Sequence, residues 1–410
     1  MEIRFVLPEE VEQLKRNVLT AFPSKTPDSL LQNMESELHQ PDEGRYLGCF
    51  DDNGTLTGSI LMMDFTLNVR GVMMPMGAAA YVSTNFLHKK EHIARNLLRV
   101  LMGYYIKLGT PVGCLHPFSP GFYRKMGYGP CMEAYFYMPK ASSIRSFGHK
   151  ADLCYAEEKD REEVLDYYRA WAARTNGATV HHYMDPHRIF DMPYVVLCRK
   201  NGRITGYLTF EFVEVDHYTD MYHDLCVREM IYDDVDTLEQ FMTFFASQFD
   251  QIDRVRIYSP DPYLHELFLN PDSGENRAHD GCIHEIGRRT MGNMIRLFDI
   301  PGYFAVQTHC QYPVSRPFTL ALDVTDTFLP QNNSVFLLRI EGSTVTRTDD
   351  GAPDVALAAD ISDLSSLVIG AVPLRELVRL GRVRLGDAGY LDDIQRAIGW
   401  DEKPCNYTYF

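Results

Sequence analysis

The order helix, strand hairpin, helix, strand runs through this chain twice, and that repetition limits its possible folds more than any other feature. In the first pass, PEEVEQLKRNVLTAF predicts a helix, with Val11, Leu14, Val18 and Leu19 at helical spacing. The stretch from Arg45 to Ser83 predicts a meander of strands, with Asp52-Asn53-Gly54 and Arg70-Gly71 as turns. A second helix is expected from about His92 to Leu108, striped by Ile93, Leu97, Val100, Leu101, Tyr104 and Leu108. A strand (TPVGCLHPF) and a short segment (GFYRKMGYGP) end the pass.

MPKASSIRSFGHK has few large apolar residues and predicts a linker. The pattern then restarts: the helix KDREEVLDYYRAWAART, a hairpin around Asn201-Gly202, a helix over Asp236–Asp250 and the strand DRVRIYSP. An internal duplication follows from this order. The second copy carries acids, not a basic loop, before its long helix (LCVREMIYDDVDTLEQ), so a cofactor site there is expected to be lost. From about Met294 the strand-like runs PFTLALDVTD, SVFLLRIEG and VALAADISD precede two short helices, ISDLSSLVIG and PLRELVRLG. These predict an α+β third domain. The expected boundaries are 1–145, 146–290 and 291–410.

A length of 410 residues suits two or three domains. The formal net charge of −16 repels phosphate backbones and draws in cations, so no nucleic acid is expected as a partner. The opening MEIRFVLPEEVEQ lacks the apolar run of a secretory signal, and no stretch approaches the ~20 apolar residues of a membrane helix. The expectation is a cytoplasmic protein without a membrane partner. The nine cysteines, Cys282 among them, are too widely spaced for a zinc ribbon or a disulfide framework, and reduced, mostly buried thiols are expected. His181, His182 and His187 lack a carboxylate at helical spacing to complete a metal set, so no metal is expected. Met62, Met63, Met73, Met74 and Met76 read as strand core.

The chemistry concentrates in Tyr81-Val82-Ser83-Thr84-Asn85-Phe86-Leu87-His88-Lys89-Lys90-Glu91-His92-Ile93-Ala94. A strand ends, a basic loop follows and an amphipathic helix begins. A helix N-terminus presents unpaired N–H groups and a positive dipole end, which suits a pyrophosphate. An ordinary turn with two solvated lysines would read the same way. Downstream, Phe118-Ser119-Pro120-Gly121-Phe122-Tyr123-Arg124-Lys125-Met126-Gly127-Tyr128-Gly129-Pro130 sets an aromatic pair ahead of Gly-Tyr-Gly-Pro.

On these two segments the sequence resembles the GNAT acetyltransferase superfamily. The fingerprint V-x-V-x-P followed by R/Q-x-x-G-x-G/A aligns with Val82, Thr84, Phe86, Lys89, His92 and Ala94. Thr84, Lys89 and His92 depart from it, His92 standing where the fingerprint has glycine. His92 is expected to be helical, with negative φ, and to donate its N–H. The order of domains and the Gly-Tyr-Gly-Pro run resemble one branch in particular, the enhanced-intracellular-survival-type N-acetyltransferases: two tandem GNAT-like domains followed by a sterol-carrier-protein-like domain.

The resemblance implies an acetyl-coenzyme A-dependent N-acetyltransferase acting on primary amines such as aminoglycosides, polyamines or lysine side chains. It implies Val82, Thr84, Lys89, Lys90, His92, Ile93, Phe118 and Ser119 as cofactor-binding residues. Tyr123 would protonate the leaving thiolate, and the Phe410 carboxylate would act as base. Tyr81 and Phe22 would line the amine pocket. His116 is a second candidate base, because an imidazole titrates near neutrality; a histidine satisfied at a strand end is the plainer reading. Relatives of this branch form hexamers, which implies a homo-oligomer. Two other functions fit parts of the pattern: an aminoacyltransferase of the tandem-GNAT type, which the acidic charge disfavours, and a non-catalytic lipid-binding protein.

Overall fold

The computed structural model describes residues 1–23, 34, 45–215, 223–274 and 283–410. Cys282 lies outside the described residues. The other cysteines are free thiols, buried except for the exposed Cys154 and the half-buried Cys405. The chain divides into two compact units. One comprises 1–131, 292–404 and 409–410; the other comprises 132–291 and 405–408.

In the first unit, strands β1 (Glu2–Phe5), β2 (Arg45–Phe50), β3 (Leu56–Val69), β4 (Val72–Thr84) and β5 (Val112–Leu115) lie side by side in chain order. The strand Met294–Leu297 follows them, and then β6 (Gly129–Pro130). Of these neighbours β4 and β5 run parallel, because a helix crosses between them. Helix α1 spans Val11–Ala21 and α2, the crossover, spans Ile93–Lys107. The expected stripe on α2 is rotated: Leu98, Met102 and Tyr105 are buried with Ile93, Leu97 and Leu101, whereas Val100 and Leu108 face out. Their targets are Leu47, Ile60, Met62 and Ala79 on the sheet. Four of the five clustered methionines are core, but Met73 is 37% exposed. It adjoins the buried Met74, and neighbours on a strand face opposite ways.

The β3–β4 hairpin closes through Arg70 (φ 56°) and Gly71 (φ 83°) between the paired Val69 and Val72. Two positive φ values in a two-residue turn match the twist of the flanking strands. Arg70 is buried and donates to the carbonyls of His309 (2.5 Å), Ala397 (2.8 Å) and Ile398 (2.8 Å). The hairpin tip is thereby tied to the third domain.

The second unit repeats the plan. Its sheet runs Leu153–Tyr155, Tyr194–Lys200, Arg203–Glu214, His223–Tyr232, Ile252–Ser259, Glu133–Tyr137, Arg288–Met291, again with one parallel pair, His223–Tyr232 with Ile252–Ser259. Asn201 (φ 49°) and Gly202 (φ 77°) make the expected hairpin turn. Each sheet takes its sixth strand from beyond its own pass. Glu133–Tyr137 follows the first pass in sequence but joins the second sheet, and Met294–Leu297 follows the second pass but joins the first. His187 Nδ1 hydrogen-bonds Asp191, four residues on, at 3.0 Å.

The third domain is a sheet in the order Thr344–Thr348, Val335–Glu341, Phe318–Thr325, Val355–Asp360, Val383–Leu385. The two expected helices are Ile361–Val368 and Leu374–Arg379. Two more, Ile300–Val306 and Leu391–Ile398, were not anticipated.

Removing the Arg70 guanidinium leaves three carbonyls without their donor. Arg70→Ala is expected to destabilise the chain by about 3 kcal/mol, read as a lower urea midpoint with an unchanged slope.

Candidate functional site

The site grows from an irregularity in β4. Ser83 pairs with Ser59 and Ala80 with Leu61, so Tyr81 and Val82 together oppose Ile60. This is a β-bulge, and Tyr81 adopts φ 44° within it. Behind the bulge, Asn17 Nδ2 donates to Ser83 Oγ (3.1 Å), which shares a hydrogen bond with Ser59 Oγ (2.7 Å). Asn17 was missed in the sequence, although a buried amide between Leu14 and Val18 on an apolar helix face was a usable signal. The Tyr81 ring meets Phe22 edge-on at 5.6 Å. The two residues proposed for the amine pocket are therefore together.

Past Ala79↔Leu115 the pairing of β4 with β5 stops, while β4 continues to Thr84 along β3. The two parallel strands part at the bulge. Lys89 lies exposed over the Phe86 ring (5.0 Å), His88 Nδ1 bonds Glu91 (3.0 Å), and Lys90 takes φ 74°.

His92 is the N-cap of α2, with φ 62° and no side-chain capping bond. It is thus left-handed, not helical as expected: only its carbonyl joins the helix, accepting from Asn96 N (3.0 Å). The N–H groups of Ile93, Ala94 and Arg95 have no acceptor among the described residues. Ile93 itself is buried, so its contribution to an anion is its amide and not its side chain. The equivalent helix of the second unit, Val235–Ala246, is closed instead. Asp234 caps it, accepting from Thr237 N (2.8 Å) and from Lys200 Nζ (2.8 Å). Its carboxyl is held below the usual range first by that lysine bond. A fixed carboxylate occupies the place that an anion would take.

Ser119 precedes the short helix α3 (Pro120–Arg124) and accepts from Phe122 N through its carbonyl (3.0 Å). Phe118 is 75% exposed, and its ring lies 5.8 Å from that of Tyr123. Tyr123 is buried, edge-on to Phe118, Phe122 and Tyr128. Burial alone pushes its phenol up, with no charged neighbour involved.

Phe410 belongs to the first unit. Its ring lies 4.8 Å from those of Phe65 and His116, and Tyr409 flanks the same imidazole at 5.1 Å. The chain terminus and His116 are thus neighbours at the end of β5. Phe65 carried no sequence signal. Among the described residues no ring contact joins this group to Tyr123, and no helix is long and apolar enough to cross a membrane.

An acetyltransferase (GNAT) domain family matches residues 2–131, a second such family matches residues 157–297, and a sterol carrier protein domain family matches residues 307–407. Solved structures share the whole arrangement. A probable N-acyltransferase from Enterococcus faecalis is 18% identical (TM-score 0.84), with 100% of this chain and 99% of that one covered. A GCN5-related N-acetyltransferase from Anabaena variabilis is 19% identical (TM-score 0.81), with both chains covered in full. Eis1 from Mycobacterium abscessus is also 19% identical (TM-score 0.76), again with both covered in full. At such identities the likeness is one of fold. No curated protein matches the chain in sequence. Two GNAT domains followed by a sterol-carrier-like domain define the class: the chain is an acetyltransferase.

Four phenols of the first unit, Tyr105, Tyr123, Tyr128 and Tyr303, are raised chiefly by burial, that of Tyr303 to about 12. Unfolded tyrosine ionises near pH ~10. The neutral phenols therefore contribute their full stability below pH ~10 and lose it as pH rises toward the folded values. The unfolding free energy from urea titrations between pH 9 and 12 is expected to fall from about pH 10, by about 1.4 kcal/mol per pH unit for each of these tyrosines.

Proposed function

We propose that the first domain transfers an acetyl group from acetyl-coenzyme A to the primary amine of a cationic substrate, of the aminoglycoside, polyamine or lysine type. The observation that carries this reading is the open N-terminus of α2 beside the parting of β4 and β5. Three free amides, Lys89 and Lys90 suit a pyrophosphate, and the gap between the strands suits an extended arm. The second domain, with the same scaffold but an Asp234 cap, is read as having no such site.

When bound, acetyl-coenzyme A supplies the acetyl group on a thioester. The chain's own residues would do the rest. Backbone N–H at the Val82 bulge would polarise the carbonyl. Tyr123 would hold a proton at Oη for the departing sulfur, since a phenol is neutral at physiological pH. Tyr81 and Phe22 would receive the substrate cation on their rings. An alkylammonium titrating near ~10.4 must lose a proton before it attacks. A carboxylate is a weak base for that task, so the Phe410 terminus is assigned mainly to drawing in and orienting the cation. The adjoining His116 imidazole would then pass the proton to water. Transfer is direct, without a covalent enzyme intermediate. By resemblance the active species is a homo-oligomer, of hexamer type.

Thiol release from acetyl-coenzyme A, measured with a panel of aminoglycosides, spermidine and lysine peptides, tests this. Release is expected to depend on an amine and to fall about 10²-fold in kcat both in Tyr123→Phe and in a chain lacking Phe410. Full activity in either variant removes the role assigned to that residue. No release with any amine, together with no coenzyme A binding, defeats the reading as a whole.

A further inference from the structure

A five-residue helix cannot hold its own position, since so short a helix is marginal without outside contacts. Helix α3, which carries Tyr123, also lacks a side-chain cap at Ser119. Its surroundings supply three ties. At its C-terminal end Arg124 Nη2 donates to Asp363 Oδ1 at 2.6 Å. Asp363, in the first turn of Ile361–Val368, is 3% exposed and also accepts from Arg382 Nη2 at 2.8 Å. One turn further on, Arg296 Nη1 donates to the Met126 carbonyl. Arg296 is wholly buried and paired through Nη2 with Asp326 (2.5 Å). Beyond it, Ser366 Oγ donates to the Pro130 carbonyl at 2.7 Å.

The Gly-Tyr-Gly signature fits these ties. Gly127 has φ +82°, and a Cβ there would lie 1.4 Å from Arg296 Nη1. A Cβ on Gly129 would lie 1.9 Å from the Ser362 carbonyl oxygen. Both glycines let the segment press against the guanidinium and the third-domain helix. The Tyr123 ring lies edge-on to Phe118, Phe122 and Tyr128 within an apolar cluster, so packing sets its tilt while the charged ties set where its helix sits.

We propose that the sterol-carrier-like domain acts as a clamp on the acetyltransferase site, with Asp363 and Arg296 as positioning residues that fix the segment bearing Tyr123. The catalytic part of this inference rests on Tyr123 as the proton donor; the positional part does not. Displacing a reacting group by about an ångström costs up to ~10²-fold in rate, so partial release of the segment is expected to show in kcat before KM.

The test is Asp363→Asn in the full chain, which keeps shape and one acceptor oxygen but removes the charge. The expected result is about a tenfold loss of kcat, with the KM for acetyl-coenzyme A changed less than about twofold. In a Tyr123→Phe background the same substitution is expected to change kcat by less than about twofold, because its route to the chemistry is already gone. Hydrogen–deuterium exchange over 118–130 is expected to quicken while β3 and β4 stay protected. Equal losses in both backgrounds, or unchanged exchange over 118–130, overturn the clamp. If Tyr123→Phe itself keeps full activity, the proton-donor reading has failed, and exchange alone decides whether the clamp exists. Arg124→Gln breaks the same ion pair from its more solvated side and must give the same pattern, so the test survives if Asp363→Asn does not fold.

Discussion

The side chain of Arg296 is the point on which the first unit turns. It sits on the strand Met294–Leu297, inserted between β5 and β6, and is 0% exposed. A guanidinium so placed gives up several kcal/mol of hydration. The Asp326 carboxylate and the Met126 carbonyl offset this, although Nε has no partner among the described residues. Asp326 in turn accepts from the amides of Phe328 and Leu329 at 2.9 Å through its other oxygen. One buried charge therefore fixes a strand, a loop of the third domain and the turn after Tyr123. Apolar side chains of similar volume would pack as well and specify less, since they would not select one register for that turn.

The duplication shows how little separates a binding domain from a structural one. Both sheets carry one parallel pair, a bulge in the strand before the crossover helix, and that helix itself. What differs is the first turn of the helix. Asp234 and Lys200 fill it in the second copy, and among the described residues no side chain caps it in the first. A carboxylate in that position satisfies the same amides that an anionic ligand would, so the second domain gains an intact cap where the first keeps an open end.

Much of this was legible in the sequence because it depends on local rules. Helix α2, the Arg70-Gly71 and Asn201-Gly202 turns, the basic loop and the acids before the second copy's helix all follow from periodicity, turn chemistry and charge. The rest depends on contacts distant along the chain. That Met294–Leu297 would enter the first sheet, and that Phe65 would meet Phe410, needed the tertiary structure. The orientation of α2 also needed it: with apolar residues nearly all round, the sheet and not the pattern chose Leu98 and Met102 over Val100 and Leu108. Asn17 sits between these cases, a polar residue whose position on an apolar face announced a partner without naming it.

His92 shows where an identity misleads and a conformation does not. Where the fingerprint has glycine, a histidine suggested an ordinary helical residue with its side chain in the way of a phosphate. The backbone instead keeps the left-handed angle that glycine allows (φ 62°), and Lys90 and Tyr81 nearby are also at positive φ. Such angles cost non-glycine residues roughly 1 kcal/mol or more each, and three of them within twelve residues persist only because the bulge, the short 3₁₀ turn Phe86–His88 and the buried Ile93 leave the chain no other path. What the loop conserves physically is the direction of the amides after residue 92. A glycine is the least costly way to obtain that direction; here the surrounding packing imposes it on a histidine.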